Sequence, residues 1–410
     1  MNDDLTNQLS RELHDRAGEM DGSALGLAGV QGRARSIRRR RTASVIVGVA
    51  AAVGVIVPTA ALATHSGGKP EPAPITQSPS PTRTPTVDSR AALDVSGLEQ
   101  GDPPRLDYLE GGILHEPAGG TQQVGTADPV DRFAVLADGT KVYHTRDSQG
   151  RTHVQVQPAQ GDLSTPFPAS NGLAVNTERT AAAWTTADGH VWVWHLDPQA
   201  TGDSRFPARL PGTAPQALQV TGRYCSDGGT CHVLVQTTDP ATGETTSSVV
   251  SSRGGIEPAD PGGRFASMTS TSSTGLVAGL TRVTASGSCS AVADGAAAPT
   301  WRTCRHTLIT FSPDARFISA DAAYHDGPGS SVFAAYGVDG KLAFDHRSDA
   351  SSQAFVAQSV WEDDTHVLGT VFQGGGWYVV RFGVDGSMQL AAGPVAGDMG
   401  QSPVVLPGAR

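Results

Sequence analysis

One repeated unit near the C-terminus restricts this chain to few architectures. Residues 307–347 read TLITFSPDARFISADAAYHDGPGSSVFAAYGVDGKLAFDHR, and residues 357–393 read AQSVWEDDTHVLGTVFQGGGWYVVRFGVDGSMQLAAG. Each has a short apolar run, a turn at Ser312-Pro313-Asp314 or Glu362-Asp363-Asp364, and a longer apolar run. A Gly-rich turn and a third run follow, then the shared Gly-Val-Asp-Gly and a fourth run. Asp-Gly between apolar runs marks a tight antiparallel reversal, because Gly takes the positive φ that such turns require. Further Asp-Gly pairs stand at Asp138-Gly139 and Asp188-Gly189; from 138 to 188 is 50 residues, and from 339 to 385 is 46. Four strands in each period of about 45 residues predict a β-propeller blade.

Seven units can be counted, beginning near Leu106, Phe133, Leu173, Leu218, Phe265, Leu308 and Phe355. The fourth and fifth are blurred, so six or eight also fit. The first unit is short, and Val404-Val405-Leu406 is expected to supply its missing strand, closing the ring without an exposed sheet edge. Composition agrees. Gly (49) and Pro (27) are abundant and charged residues make up only 17%, which suits a turn-rich all-β domain.

Two segments carry a family resemblance. Phe311-Ser312-Pro313-Asp314-Ala315-Arg316 resembles the F-S-P-D-G-K segment of WD40-like and TolB-type blades. Val191-Trp192-Val193-Trp194-His195-Leu196 resembles the V-x-L-W-D-L strand of a WD40 blade. The resemblance covers 307–393 best and extends thinly over 98–410. It departs at Ala315, where the family has Gly, and the Gly-His and terminal Trp-Asp dipeptides do not recur. It implies the fold and carries no partner surface over.

The first part of the chain is different. Arg38, Arg39, Arg40 and Arg41 precede a 21-residue uncharged run, Ala43 to Ala63. At about 1.5 Å per residue this run spans roughly 31 Å, the thickness of a bilayer core. The arginines place the N-terminus in the cytoplasm and the rest outside. The expected organisation is a cytoplasmic arm (1–41), a signal-anchor transmembrane helix (42–64), a Pro/Ser/Thr-rich linker (65–94) and an extracytoplasmic propeller (95–410). Ala61-Leu62-Ala63 also reads as a cleavage site, so a removed signal peptide is the competing assignment. In the arm, Leu5, Leu9 and Leu13 share one face of a short helix and form a candidate partner-binding stripe. The layout resembles actinobacterial single-pass proteins with WD40-like ectodomains, some of them partners of extracytoplasmic-function sigma factors. The arm lacks the His-x-x-x-Cys-x-x-Cys of zinc anti-sigma domains.

All four cysteines, Cys225, Cys231, Cys289 and Cys304, follow the apolar run, which fits disulfides on the exported side. Three pairings are open, and local pairing, 225 with 231 and 289 with 304, is favoured. Residues 1–41 carry +2 against −10 for the whole chain, so the remainder carries −12. That argues against nucleic acid as a partner. No catalytic motif or cofactor signature stands out. His190 and His195 read as exposed strand ends, Glu362-Asp363-Asp364 as a solvated turn, and Trp184, Trp192, Trp194, Trp361 and Trp377 as packing between blades. The expected role is binding or sensing of an extracytoplasmic protein or small ligand, with a cytoplasmic partner for the arm. A propeller enzyme acting on wall glycan or peptide, and a non-signalling scaffold, are the alternatives.

Overall fold

The computed structural model describes residues 90–410, apart from 198–200, 212, 223–224, 227–228, 240, 243, 285, 326 and 409–410. All belong to one unit, Thr86–Arg410. The leucine-striped arm, Arg38 to Arg41, the apolar run and most of the linker lie outside the described residues. Among the described residues no helix is long and apolar enough to cross a membrane.

The chain forms a seven-bladed β-propeller, each blade a four-stranded antiparallel sheet. The innermost strands of blades 2 to 7 are Val130–Val135, Leu173–Val175, Thr213–Thr221, Ser267–Thr271, His306–Phe311 and Phe355–Trp361. The predicted starts of units two to seven fall within these strands or two residues before them. Blade 1 takes its innermost strand, Val404–Val405, from the C-terminus, next to Tyr108–Glu110, Ile113–His115 and Thr121–Gln123. Leu109 lies opposite Val405 and Glu110 opposite Val404, so the ring closes as expected.

The Asp-Gly turns need one correction. Asp339-Gly340 and Asp385-Gly386 both join the third and fourth strands of a blade. Asp138-Gly139 joins first to second, and Asp188-Gly189 second to third, so their spacing does not relate equivalent turns. All four glycines have φ between +86 and +89. Any tight antiparallel reversal makes that demand, wherever it falls in a blade. Ala315 occupies such a position with φ 59, which explains why the family resemblance expects Gly there.

Blades are buried on both faces, so their middle strands are apolar at both parities. In His190–His195, Val191 and Val193 pack towards blade 4 beside Val233 and Val235. Trp192 and Trp194 point the other way, towards Val154 and Val156 of blade 2. His195 is not an exposed strand end; it is buried, with Nε2 2.9 Å from Ser204 Oγ.

Polar groups stitch each junction. Gly408 N donates to Phe133 O (blades 1 and 2), and Ala137 N to Arg179 O (2 and 3). Thr185 Oγ1 donates to Pro215 O (3 and 4), Gln236 Nε2 to Met268 O (4 and 5), and Trp301 Nε1 to Val338 O (5 and 6). Val356 N donates to Ser330 O (6 and 7), and Leu406 N to Gln358 Oε1 (7 and 1).

Arg90–Ala92 adds a fifth, parallel strand to the outer edge of blade 6, with Arg90 opposite Asp345. The chain then buries Leu93 and Val95 among Phe333, Phe344 and Phe382 of blades 6 and 7. It runs along blade 7 through the Gln100–Leu390 bridge and reaches blade 1.

Two imidazoles are sealed in blade 6. His346 is fully buried against the rings of Phe344 and Phe382, and neither ring nitrogen has a partner among the described residues. Burial pushes it down to about 4. Burial likewise lowers His306 to about 4, against the opposing pull of Asp345. Asp321 moves the other way, pushed up to about 7 by burial.

A depressed histidine stabilises the fold fully above its ordinary value of 6.5, and that stability is lost as pH falls towards 4. His346→Leu should therefore gain on wild type as pH drops from 7 to 4.5, by up to about 3 kcal/mol, measured by urea unfolding. Asp321→Asn should show the reverse dependence, its benefit growing as pH rises from about 4 to 7 and levelling off above that. At the closure, Val404→Asp buries a charge without a partner and should cost more than about 3 kcal/mol. The exposed Val283→Asp should change stability by under about 0.5 kcal/mol in the same assay.

Candidate functional site

The inner strands run the same way around the ring, so their ends converge at one mouth of the central channel. There they enclose a cavity of about 350 Å³. Every blade contributes: Pro407, Val135, Asn176, Gln219, Thr271, Ser312 and Trp361 are one residue each from blades 1 to 7. The wall is rich in hydroxyls, with Ser270, Thr271, Ser272 and Ser273 in one run, joined by Thr177, Thr310 and Ser359. Leu106, Val175, Leu218, Phe311 and Val360 supply apolar surface.

Several lining side chains are locked. Gln219 Oε1 accepts from Thr271 N at 2.7 Å and its Nε2 donates to Thr271 O, bridging blades 4 and 5. Asn176 Oδ1 accepts from Thr180 N and Ala181 N, and its Nδ2 donates to Gly222 O at 3.1 Å, bridging blades 3 and 4. Trp361 Nε1 donates to Thr310 O at 3.0 Å. The mouth is therefore held in shape by the same bonds that hold the ring.

Two charged residues belong to the lining, Arg179 and Glu362. Arg179 sits in a turn with φ 53, exposed. Asp107 is close enough to feel it: burial raises the Asp107 carboxyl, and Arg179 works against that rise. Glu362 is not part of a solvated turn. Its side chain is fully buried and paired with Arg381, Nε to Oε2 at 2.5 Å and Nη2 to Oε1 at 2.8 Å. Oε1 also accepts from Arg105 N at 2.6 Å. Arg381 donates onward to Asp102 O and Pro103 O, both at 3.0 Å. The pair thus clasps the segment that enters blade 1. Asp363 remains a turn residue, accepting from Thr365 N and His366 N.

Among the described residues no group of three or more His, Cys, Asp or Glu side chains is placed to hold a metal ion. The mouth offers hydrogen-bond donors and acceptors on a rigid, mostly uncharged wall, an arrangement for binding. Of the residues singled out in the sequence, Cys225 pairs with Cys231 in the turn between the first two strands of blade 4. Cys289 pairs with Cys304 across the third and fourth strands of blade 5. Neither disulfide lines the cavity. Leu5, Leu9, Leu13 and Arg38 to Arg41 lie outside the described residues. Trp184 and Trp377 are core residues, whereas Trp361 belongs to both core and mouth. The mouth itself was not picked out from sequence; most of its residues lie at or within about two positions of the end of each first strand.

No protein-family model matches the chain, and no curated protein matches it. Solved structures do. The β-propeller domain of the Trilobed protease from Pyrococcus furiosus is 11% identical, covering 66% of this chain and 86% of that one, with a TM-score of 0.43. TolB from Acinetobacter baumannii is 13% identical, covering 73% and 65%, with a TM-score of 0.39. Puromycin hydrolase is 12% identical over 66% of this chain and 48% of its own, with a TM-score of 0.43. The chain thus spans less than two thirds of TolB and under half of the hydrolase. The seven-bladed β-propeller fold rests on this chain's own strand order.

Removing one partner of the buried pair should be costly. Arg381→Ala leaves Glu362 charged and unpaired, and should destabilise by about 3–5 kcal/mol. The double variant Arg381→Met, Glu362→Leu should recover most of that loss. A double-mutant cycle in guanidinium unfolding checks it, and additive losses would refute the pairing.

Proposed function

We propose that this protein is a membrane-anchored, extracytoplasmic binding protein that senses through its channel mouth. The observation that carries this reading is the 350 Å³ cavity built from all seven blades and walled mainly by neutral hydroxyl, amide and apolar groups. Such a wall suits an uncharged ligand rich in hydroxyls or amides, the chemistry of cell-wall glycan and short peptide. A catalytic reading needs carboxylates or histidines converging at the mouth. Glu362 is the acidic residue of the lining, and its carboxylate is buried with both oxygens engaged by Arg381. The exported location is supported by two disulfides and by the arginine-bounded apolar run.

The arm gives the reading its second half. Leu5, Leu9 and Leu13 would bind a cytoplasmic protein, and the architectural resemblance suggests one of the sigma-factor type. Both halves are testable with the full chain in neutral detergent. Neutral wall oligosaccharides and short peptides should raise the melting temperature of wild type. Ser273→Trp, which fills the mouth from an exposed position, should abolish the rise. No stabilising ligand, or an equal rise in both proteins, would refute the channel reading. Co-purification from cells should recover a sigma-factor-type protein with wild type and lose it with Leu9→Asp, Leu13→Asp. Recovery of none with wild type would end the signalling proposal and leave ligand binding standing.

A further inference from the structure

We propose that the Arg305–Asp345–Arg347 cluster of blade 6 is a binding site for a singly charged oxyanion, either a carboxylate or a phosphodiester group. It does not depend on the channel reading. Arg305 precedes the inner strand His306–Phe311, so the cluster stands at the opposite end of that strand from Phe311, which lines the cavity.

Asp345 is fully buried and accepts from both guanidiniums. Arg347 makes a two-pronged fork, Nε to Oδ1 at 2.9 Å and Nη2 to Oδ2 at 3.1 Å. That fork alone satisfies the carboxylate. Arg305 nevertheless brings Nη2 onto Oδ2 as well. Its backbone is tied in place. Cys304, the residue before it, is bonded to Cys289 of blade 5, and Arg305 N donates to Thr303 Oγ1 at 3.1 Å.

The neighbouring His306 adds no charge. Arg347 Nη2 lies 3.3 Å from its Nε2, and a guanidinium only donates, so Nε2 is the acceptor. The proton is then on Nδ1, which donates to Tyr336 Oη at 2.6 Å. Burial keeps this imidazole neutral.

Among the described side chains, these two cations against one carboxylate leave a net +1. Among the described residues neither guanidinium pairs with another carboxylate. The side chains are 34% and 42% exposed, and among the described residues Arg305 Nε and Nη1 and Arg347 Nη1 have no protein acceptor. Like charges held side by side are relieved by a second anion. Charge selects its class: a monoanion brings the cluster to zero, whereas a dianion leaves it negative over a buried carboxylate. Planar guanidinium forks match carboxylate and phosphate oxygens.

The test uses the full-length protein in neutral detergent at constant ionic strength, with chloride replaced stepwise by acetate or by dimethyl phosphate. Wild type should melt at a higher temperature as one or both anions replace chloride, through preferential binding to the folded state. Arg305→Gln leaves the Arg347 fork intact, so it should melt like wild type in chloride. Its half-saturating anion concentration should be at least tenfold higher. Arg305→Lys, which keeps the charge without the fork, should fall between the two and provides the comparison if the Gln variant folds poorly. A response to acetate alone assigns a carboxylate ligand, and a response to dimethyl phosphate alone a phosphodiester. No response from wild type, or equal half-saturation in wild type and both variants, would overturn the site.

Discussion

Two residue pairs close this molecule. Leu109 opposite Val405 and Glu110 opposite Val404 join chain segments from the two ends of the propeller into one sheet. Without that sheet blade 7 would have no neighbour on one side, and blade 1 would lack its inner strand. Leu406 N to Gln358 Oε1 and Gly408 N to Phe133 O then fasten the closing strand to both adjoining blades. Val404 and Leu406 are almost wholly buried with Trp377 and Leu368 of blade 7, so closure is also a packing event. A ring of sheets has no free inner edge, and only a closed ring brings seven strand ends to a common mouth. The cavity is a consequence of closure, since each blade supplies only a fraction of its wall.

The segment 90–106 links the rim of the ring to that mouth. It pairs with blade 6 at its outer edge, buries Leu93 between blades 6 and 7, and is clasped at Asp102 and Pro103 by Arg381. Arg105 N then bonds Glu362, and Leu106 lines the cavity. The residues nearest the linker are therefore bonded, step by step, to residues that form the wall. The buried Arg381–Glu362 pair holds both the entering chain and one side of the mouth. Its charges tolerate burial because backbone carbonyls and an amide satisfy their remaining valences.

How much of this was legible depends on where each residue's partner lies in the chain. Turns were legible, because the positive φ at Gly340 or Gly386 is a local demand. The unit count was legible from the apolar runs those turns separate. Blade 4 blurred for a physical reason. Its strands carry Gln219 and Gln236, which hook blade 5 and break the apolar pattern, and a disulfide loop replaces the tight turn after Thr221. Glu362 was read as solvated because its partner Arg381 is 19 residues away on another strand. His195 was misread for the same kind of reason: its environment is set by Ser204 and by the next blade. The mouth residues come one or two per blade, each unremarkable in its own stretch of sequence. Only the ring makes them neighbours.

The two ends of the inner strands differ in chemistry because they differ in what the chain does there. At the mouth with the cavity, the first strand turns tightly into the second. Short hydroxyl residues such as Ser272 and Ser312 dominate because they cap those turns, Ser272 Oγ accepting from Leu276 N and Ser312 Oγ from Phe317 N. A hydrogen-bonding lining is thus a by-product of turn formation, repeated around the ring. At the other end the chain crosses from one blade to the next. Long side chains have room there, and Arg305 and Arg347 converge on a carboxylate buried between strands. The cavity end is consequently nearly neutral, whereas blade 6 carries a partly exposed pair of guanidiniums at its other end. The two ends share no residue, so the chemistry of one is set independently of the other.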